Sequence, residues 1–169
     1  MLSGVFVALG VLIPLLFHSL GNAGAVFLPM HWPVFLAAAL LPPGWAGAVG
    51  LLAPLLSGLL TGMPAFPFGL VLMAEMGTYG WVFGSWTVRS PVRSWGKRVL
   101  QLAGAMAAGR LIRLLVSIPV FVLLMDVPFH GPAVLGAMVL TGLPGIVLQL
   151  AVLPVVLGRL NPPAGTGWD

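Results

Sequence analysis

Cysteine is absent from this chain, which excludes disulfides, thiolate metal sites and cysteine nucleophiles and leaves the redox compartment unmarked. Charge is almost as scarce. Seven basic and three acidic side chains are all that 169 residues carry, and 6% charged residues stand against roughly 25% in a soluble globular domain. A water-soluble protein of 17.6 kDa would need far more polar surface than this. The phosphate-binding pattern GxxxxGK[ST] is missing too, so the chain has no visible means of hydrolysing ATP. Neither GxSxG nor HExxH occurs, and nothing in the sequence asks for a cofactor or a metal.

What is there is apolar. Hydrophobic residues make up 60% of the chain and the mean hydropathy is +1.13, so lipid is the expected solvent. The fold class read from this is all-α: one polytopic membrane domain over residues 1–169, a bundle of six transmembrane helices. The net charge of +4 and pI near 11.3 could suggest nucleic acid. The excess traces instead to one loop and two arginines inside apolar runs, and no nucleic-acid partner is expected.

Six apolar segments can be drawn against the roughly 20 residues that span about 30 Å of hydrocarbon. They run from about Leu2 to Phe17, Phe27 to Leu41, Trp45 to Leu60, Phe68 to Val88, Val99 to Met125, and Pro132 to Leu157. The first has no Lys or Arg ahead of it and is read as a retained helix rather than a signal peptide. Pro42-Pro43-Gly44 reads as a tight turn, because prolines cannot continue the helical hydrogen bonds. Arg89, Arg93, Lys97 and Arg98 crowd the link between the fourth and fifth segments. Lys and Arg concentrate in cytoplasmic loops, so that link is placed inside, and with six segments both termini follow it. The links around His18 to Leu28, Gly62 to Pro67 and Asp126 to Gly131 then face outside.

The costly residues are Glu75 in the fourth segment and Arg110 and Arg113 in the fifth, since each charge near the bilayer centre costs about 2.5–3.5 kcal/mol even on the mild insertion scale. Arg110 and Arg113 are one turn apart and share a face. The trio reads as a structural ion pair, as a cationic surplus that meets an anionic ligand group, or as arginines snorkelling to an interface. His18, Asn22 and His31 surround the first outer link, and His130 lies in the last; His-x12-His is no recognised metal spacing. Phe66 and Tyr79, with Trp32 and Trp81, could line an apolar cavity, or anchor and pack helices as aromatic residues commonly do. Small residues recur at four-residue spacing in Gly4-x-x-x-Ala8, Ala46-x-x-x-Gly50 and Ala103-x-x-x-Ala107, a pattern that lets helices approach closely.

The stretches Phe17-His18-Ser19-Leu20-Gly21, Phe27-Leu28-Pro29-Met30-His31-Trp32-Pro33-Val34, Leu51 to Pro64 and Met73-Ala74-Glu75-Met76-Gly77-Thr78-Tyr79-Gly80 resemble the substrate-binding S-components of energy-coupling factor transporters. The resemblance covers about the first half of the chain. It implies a six-helix membrane protein that captures a vitamin or vitamin-like micronutrient from outside and catalyses no covalent change. It further implies docking, through small residues of the first helix, onto a transmembrane coupling subunit driven by two ATPases. The matching positions are Gly4 and Ala8, with glycine where the family pattern has alanine. The first outer link would cap the ligand, which gives His18, Asn22 and His31 a place beside it. Substrate-binding residues are thus expected among His18, Asn22, His31, Phe66, Glu75, Tyr79, Arg110 and Arg113. The implied location is the prokaryotic cytoplasmic membrane. Two other readings stand beside this one: an intramembrane enzyme using Glu75 or a histidine as acid or base, and a structural subunit of a membrane assembly.

Overall fold

A computed structural model describes residues 1–18, 23–89, 94–124 and 131–160. Its elements are α1 (Leu2–His18), α2 (Ala23–Phe27), α3 (His31–Leu40), α4 (Pro43–Thr61), α5 (Phe68–Arg89), α6 (Trp95–Pro119) running on through a π-helical turn at Val120–Leu124, and α7 (Gly131–Arg159). No strand occurs among the described residues. The chain is an all-α membrane protein. Among the described residues three helical stretches, Pro43–Thr61, Trp95–Leu124 and Leu140–Arg159, are long and apolar enough to cross a bilayer by themselves.

The second apolar segment is broken rather than continuous. Leu28 takes φ 51 between α2 and α3, a left-handed conformation that costs a non-glycine residue about 1–2 kcal/mol. Two donors meet the carbonyl that this kink presents: the His31 amide at 3.1 Å and Gln149 Nε2 at 3.2 Å. The break follows from Pro29, which disfavours helical geometry at the residue before it.

The turn expected at Pro42-Pro43-Gly44 is shorter than the sequence suggested. Pro43 opens α4 and Gly44 already belongs to the helix. A proline in the first turn loses nothing, because the N–H it lacks would have no intrahelical partner there. At its other end α4 stops on Gly62, at φ 73, with the Gly62 N–H on the Gly58 carbonyl. Ser57 Oγ donates to the Met63 carbonyl at 2.6 Å, and the Met63 N–H donates to Thr61 Oγ1 at 3.2 Å. Those bonds tie the following link back onto the helix end.

Helix α5 is the centre of the bundle, with α3, α4 and α6 packed on it, while α7 lies against α2, α3 and α6. Lipid tails are as apolar as leucine, so close packing rather than water exclusion holds such helices together. The α4–α5 crossing shows how. A Cβ added at Gly50 would overlap the Met76 carbonyl, and one at Gly80 would overlap the Ala46 carbonyl; the two backbones touch through reciprocal small residues. Ala46-x-x-x-Gly50 therefore packs within the chain. On α6 the buried small face is Ala105 and Gly109, not Ala103 and Ala107, because Gly109 makes room for the Tyr79 ring. Phe35 joins the core between Tyr79, with ring centroids 5.3 Å apart, and Phe83, edge-on at 5.6 Å.

The crossing gives a direct test. Gly50→Ala should gain up to about 1 kcal/mol of helix propensity yet lose about 1–3 kcal/mol by forcing the helices apart, for a net destabilisation seen as a lower thermal midpoint in detergent. Gly44→Ala, whose added carbon meets nothing within 4 Å, should be neutral or stabilising in the same assay.

Candidate functional site

Helices α5 and α6 deliver one charged cluster. Glu75 lies about 10 Å along α5 from Phe68, at about 1.5 Å per residue, and has no exposed side-chain surface. Arg113 Nη1 reaches Glu75 Oε2 at 2.7 Å, and Arg110 Nε stands 3.2 Å from Glu75 Oε1. The Tyr79 hydroxyl, one turn further along α5, donates to Glu75 Oε1 at 2.5 Å. The carboxylate thus accepts hydrogen bonds from Arg113 and the Tyr79 phenol and has the Arg110 guanidinium at ion-pair distance, the pairing a buried charge needs. The Arg113 guanidinium also lies over the Phe68 ring, 5.1 Å from its centroid.

His31, at the start of α3, presents its buried ring to Tyr79 with centroids 5.3 Å apart. Neither imidazole nitrogen meets a hydrogen-bond partner among the described residues. On the far side Gln149 of α7 is fully buried, its Nε2 on the Leu28 carbonyl and its Oε1 unpartnered among the described residues. Gly142, near the Leu28 side chain and the Arg110 guanidinium, supplies the small surface that lets α7 approach.

Of the residues singled out in the sequence, Glu75, Tyr79, Arg110, Arg113 and His31 come together. Phe66 does not: it is 78% exposed on the link after α4 and lines a small separate depression with Gly58, Pro64 and Met73. The link there is bound back onto the end of α4, which keeps Phe66 at the surface. His18 ends α1, but its side chain and the whole of Asn22 lie outside the described residues, as does His130. Sequence reasoning missed Gln149, Leu28 and Gly109. The signal for Gln149 was an amide alone in an apolar run, a group that needs a partner in lipid.

A second feature lies between α1 and α4 and shares no residue with the charged cluster. An open groove of about 580 Å³ runs between α1 and α4, lined by Gly4, Val7, Ala8 and Leu12 on one wall and Trp45, Ala48, Leu52 and Leu56 on the other. Gly4 and Ala8 are exposed in it, and a carbon added at Gly4 meets nothing within 4 Å. Its walls are apolar and hold none of the charged residues.

Among the described residues the chain is a helical membrane bundle with a charged cluster buried in its interior. The family model for the ECF transporter substrate-specific component matches residues 1–157, and the chain belongs to that family. It is the subunit that lends substrate specificity to an ECF-type importer, a transport role rather than an enzymatic one. Comparison with curated proteins and with solved structures returns no match.

Proposed function

We propose that this chain captures a vitamin-like micronutrient on the outer side of a prokaryotic cytoplasmic membrane and releases it inward when a coupling subunit and two ATPases act on it. The observation that supports the reading is the buried cluster of Glu75, Arg110, Arg113, Tyr79 and His31 in a bundle of this family. Charge so expensive in lipid is kept where it faces the bundle interior and meets something polar. The groove holding Gly4 and Ala8 is the docking face for the coupling subunit, because exposed small residues let a second helix approach to backbone distance. Capture and docking then use different flanks of the bundle.

Uptake is the test. Cells that express the chain with a coupling subunit and its ATPases should accumulate a labelled micronutrient, and vesicles holding the chain alone should bind it without net accumulation. Accumulation by the chain alone would overturn the borrowed-energy mechanism.

Both termini and the basic link lie on the cytoplasmic side in this reading, as positively charged loops resist translocation. A cysteine placed at Ser94 should resist an impermeant thiol reagent in intact cells, and one at Asn22 should react, with no native cysteine to confuse the result. The reverse pattern would invert the orientation.

A further inference from the structure

We infer that Gln149 is a positioning residue: its side-chain amide latches the corner between α2 and α3 onto α7, and that corner opens as a unit of its own while the rest of the bundle stays packed. The inference goes beyond the binding role proposed above and stands or falls separately from it.

The latch is built from both ends. Gln149 is fully buried on α7, and its Nε2 donates to the Leu28 carbonyl at 3.2 Å. The reversed amide would set its oxygen against that carbonyl oxygen, so the bond fixes the orientation of the side chain. One turn earlier on α7, a Cβ added at Gly145 would stand 2.6 Å from the Val26 carbonyl oxygen and 2.9 Å from that of Phe27. The backbone of α7 therefore rests directly against the end of α2. The Leu28 carbonyl also accepts the His31 N–H at 3.1 Å, so a single oxygen joins α7 to the first residue of α3. That residue carries the ring that faces Tyr79. Gln149 thus acts on the edge of the charged cluster through the corner and not by touching the cluster.

The corner has little else to hold it. Helix α2 has five residues, too few to be stable as a helix by itself, and among the described residues its helix contacts are with α1 and α7. Leu28, at φ 51, keeps a left-handed conformation that a residue with a Cβ resists. A short helix ending on a strained residue opens locally before the whole fold does. The Gln149 hydrogen bond and the close contact at Gly145 oppose that opening.

Amide hydrogen exchange of the detergent-purified protein, resolved to single residues by NMR, reads the corner through the His31 N–H. Gln149→Met keeps the length of the side chain and removes its donor. It should speed His31 exchange about 3- to 10-fold, while the amides of the buried residues Val49 and Met76, on α4 and α5, keep their rates. An equal rise at all three would make Gln149 a prop of the whole bundle and overturn the inference, and so would an unchanged rate at His31.

A pair of variants at Leu28 tests the corner with Gln149 in place. Leu28→Gly and Leu28→Ala lose nearly the same side-chain contacts, but only alanine resists the left-handed conformation. His31 should exchange about 3- to 10-fold more slowly in the glycine variant than in the alanine variant, the left-handed penalty less the extra freedom of glycine in the open state. Equal rates or the reverse order would overturn the strained corner. If Gln149→Met yields no folded protein, the Gln149 side-chain amide of the unaltered chain decides. Protection equal to that of the His31 N–H supports a shared opening; protection as high as that of Val49 and Met76 overturns it.

Discussion

Glu75→Gln is expected to destabilise the purified protein by about 3–5 kcal/mol, the cost of removing one partner from a buried ion pair. The change keeps the size of the side chain and an acceptor for Tyr79, but it leaves Arg110 and Arg113 beside each other without the carboxylate that both approach. Thermal unfolding in detergent measures the loss. A companion variant separates structure from function. Replacing Glu75, Arg110 and Arg113 together by Leu removes every charge of the cluster, and a well-packed apolar substitute for a buried ion network is often as stable as the original. Recovery of the midpoint with loss of ligand capture would show that the cluster exists for binding. Recovery of both would show that it does not.

The second large effect concerns transport. Ala8→Trp, or Gly4 and Ala8 both changed to Leu, should abolish uptake and co-purification with the coupling subunit while leaving capture by the isolated chain nearly intact. Both positions are exposed on α1 at the groove, where added bulk keeps a partner helix at a distance, and neither touches the charged cluster. Persistence of uptake in these variants would remove α1 as the docking surface.

Most of the bundle could be read from the sequence because hydrocarbon imposes a length and a composition on whatever crosses it. The six apolar runs reappear as helices within a few residues of where they were drawn. The break at Leu28 was harder: Pro29 and Pro33 announced an irregular start, but the left-handed kink depends on donors from His31 and Gln149, one of them on a helix far along the chain. Glu75, Arg110 and Arg113 stood out because their cost in lipid is high whatever surrounds them. Gln149 carries no charge and stood out less. The small face of α6 was drawn on the wrong pair for a different reason. Ala103, Gly104, Ala105, Ala107, Ala108 and Gly109 surround that helix with small residues, so spacing alone cannot choose a side; the Tyr79 ring chooses it.

The docking proposed for the groove beside α1 has a consequence for the energetics of assembly. Its walls are apolar and open, and in a bilayer such a channel is occupied by acyl chains. A docking helix therefore gains no release of water; it trades lipid contacts for protein contacts, and the difference comes from how well two solid surfaces interlock and from the freedom regained by displaced tails. Stiffer, more ordered tails fit an irregular groove less well and gain more freedom on leaving it. Assembly of this subunit with its partners should accordingly tighten as the surrounding membrane becomes more ordered, and a fluidised membrane should favour the free subunit.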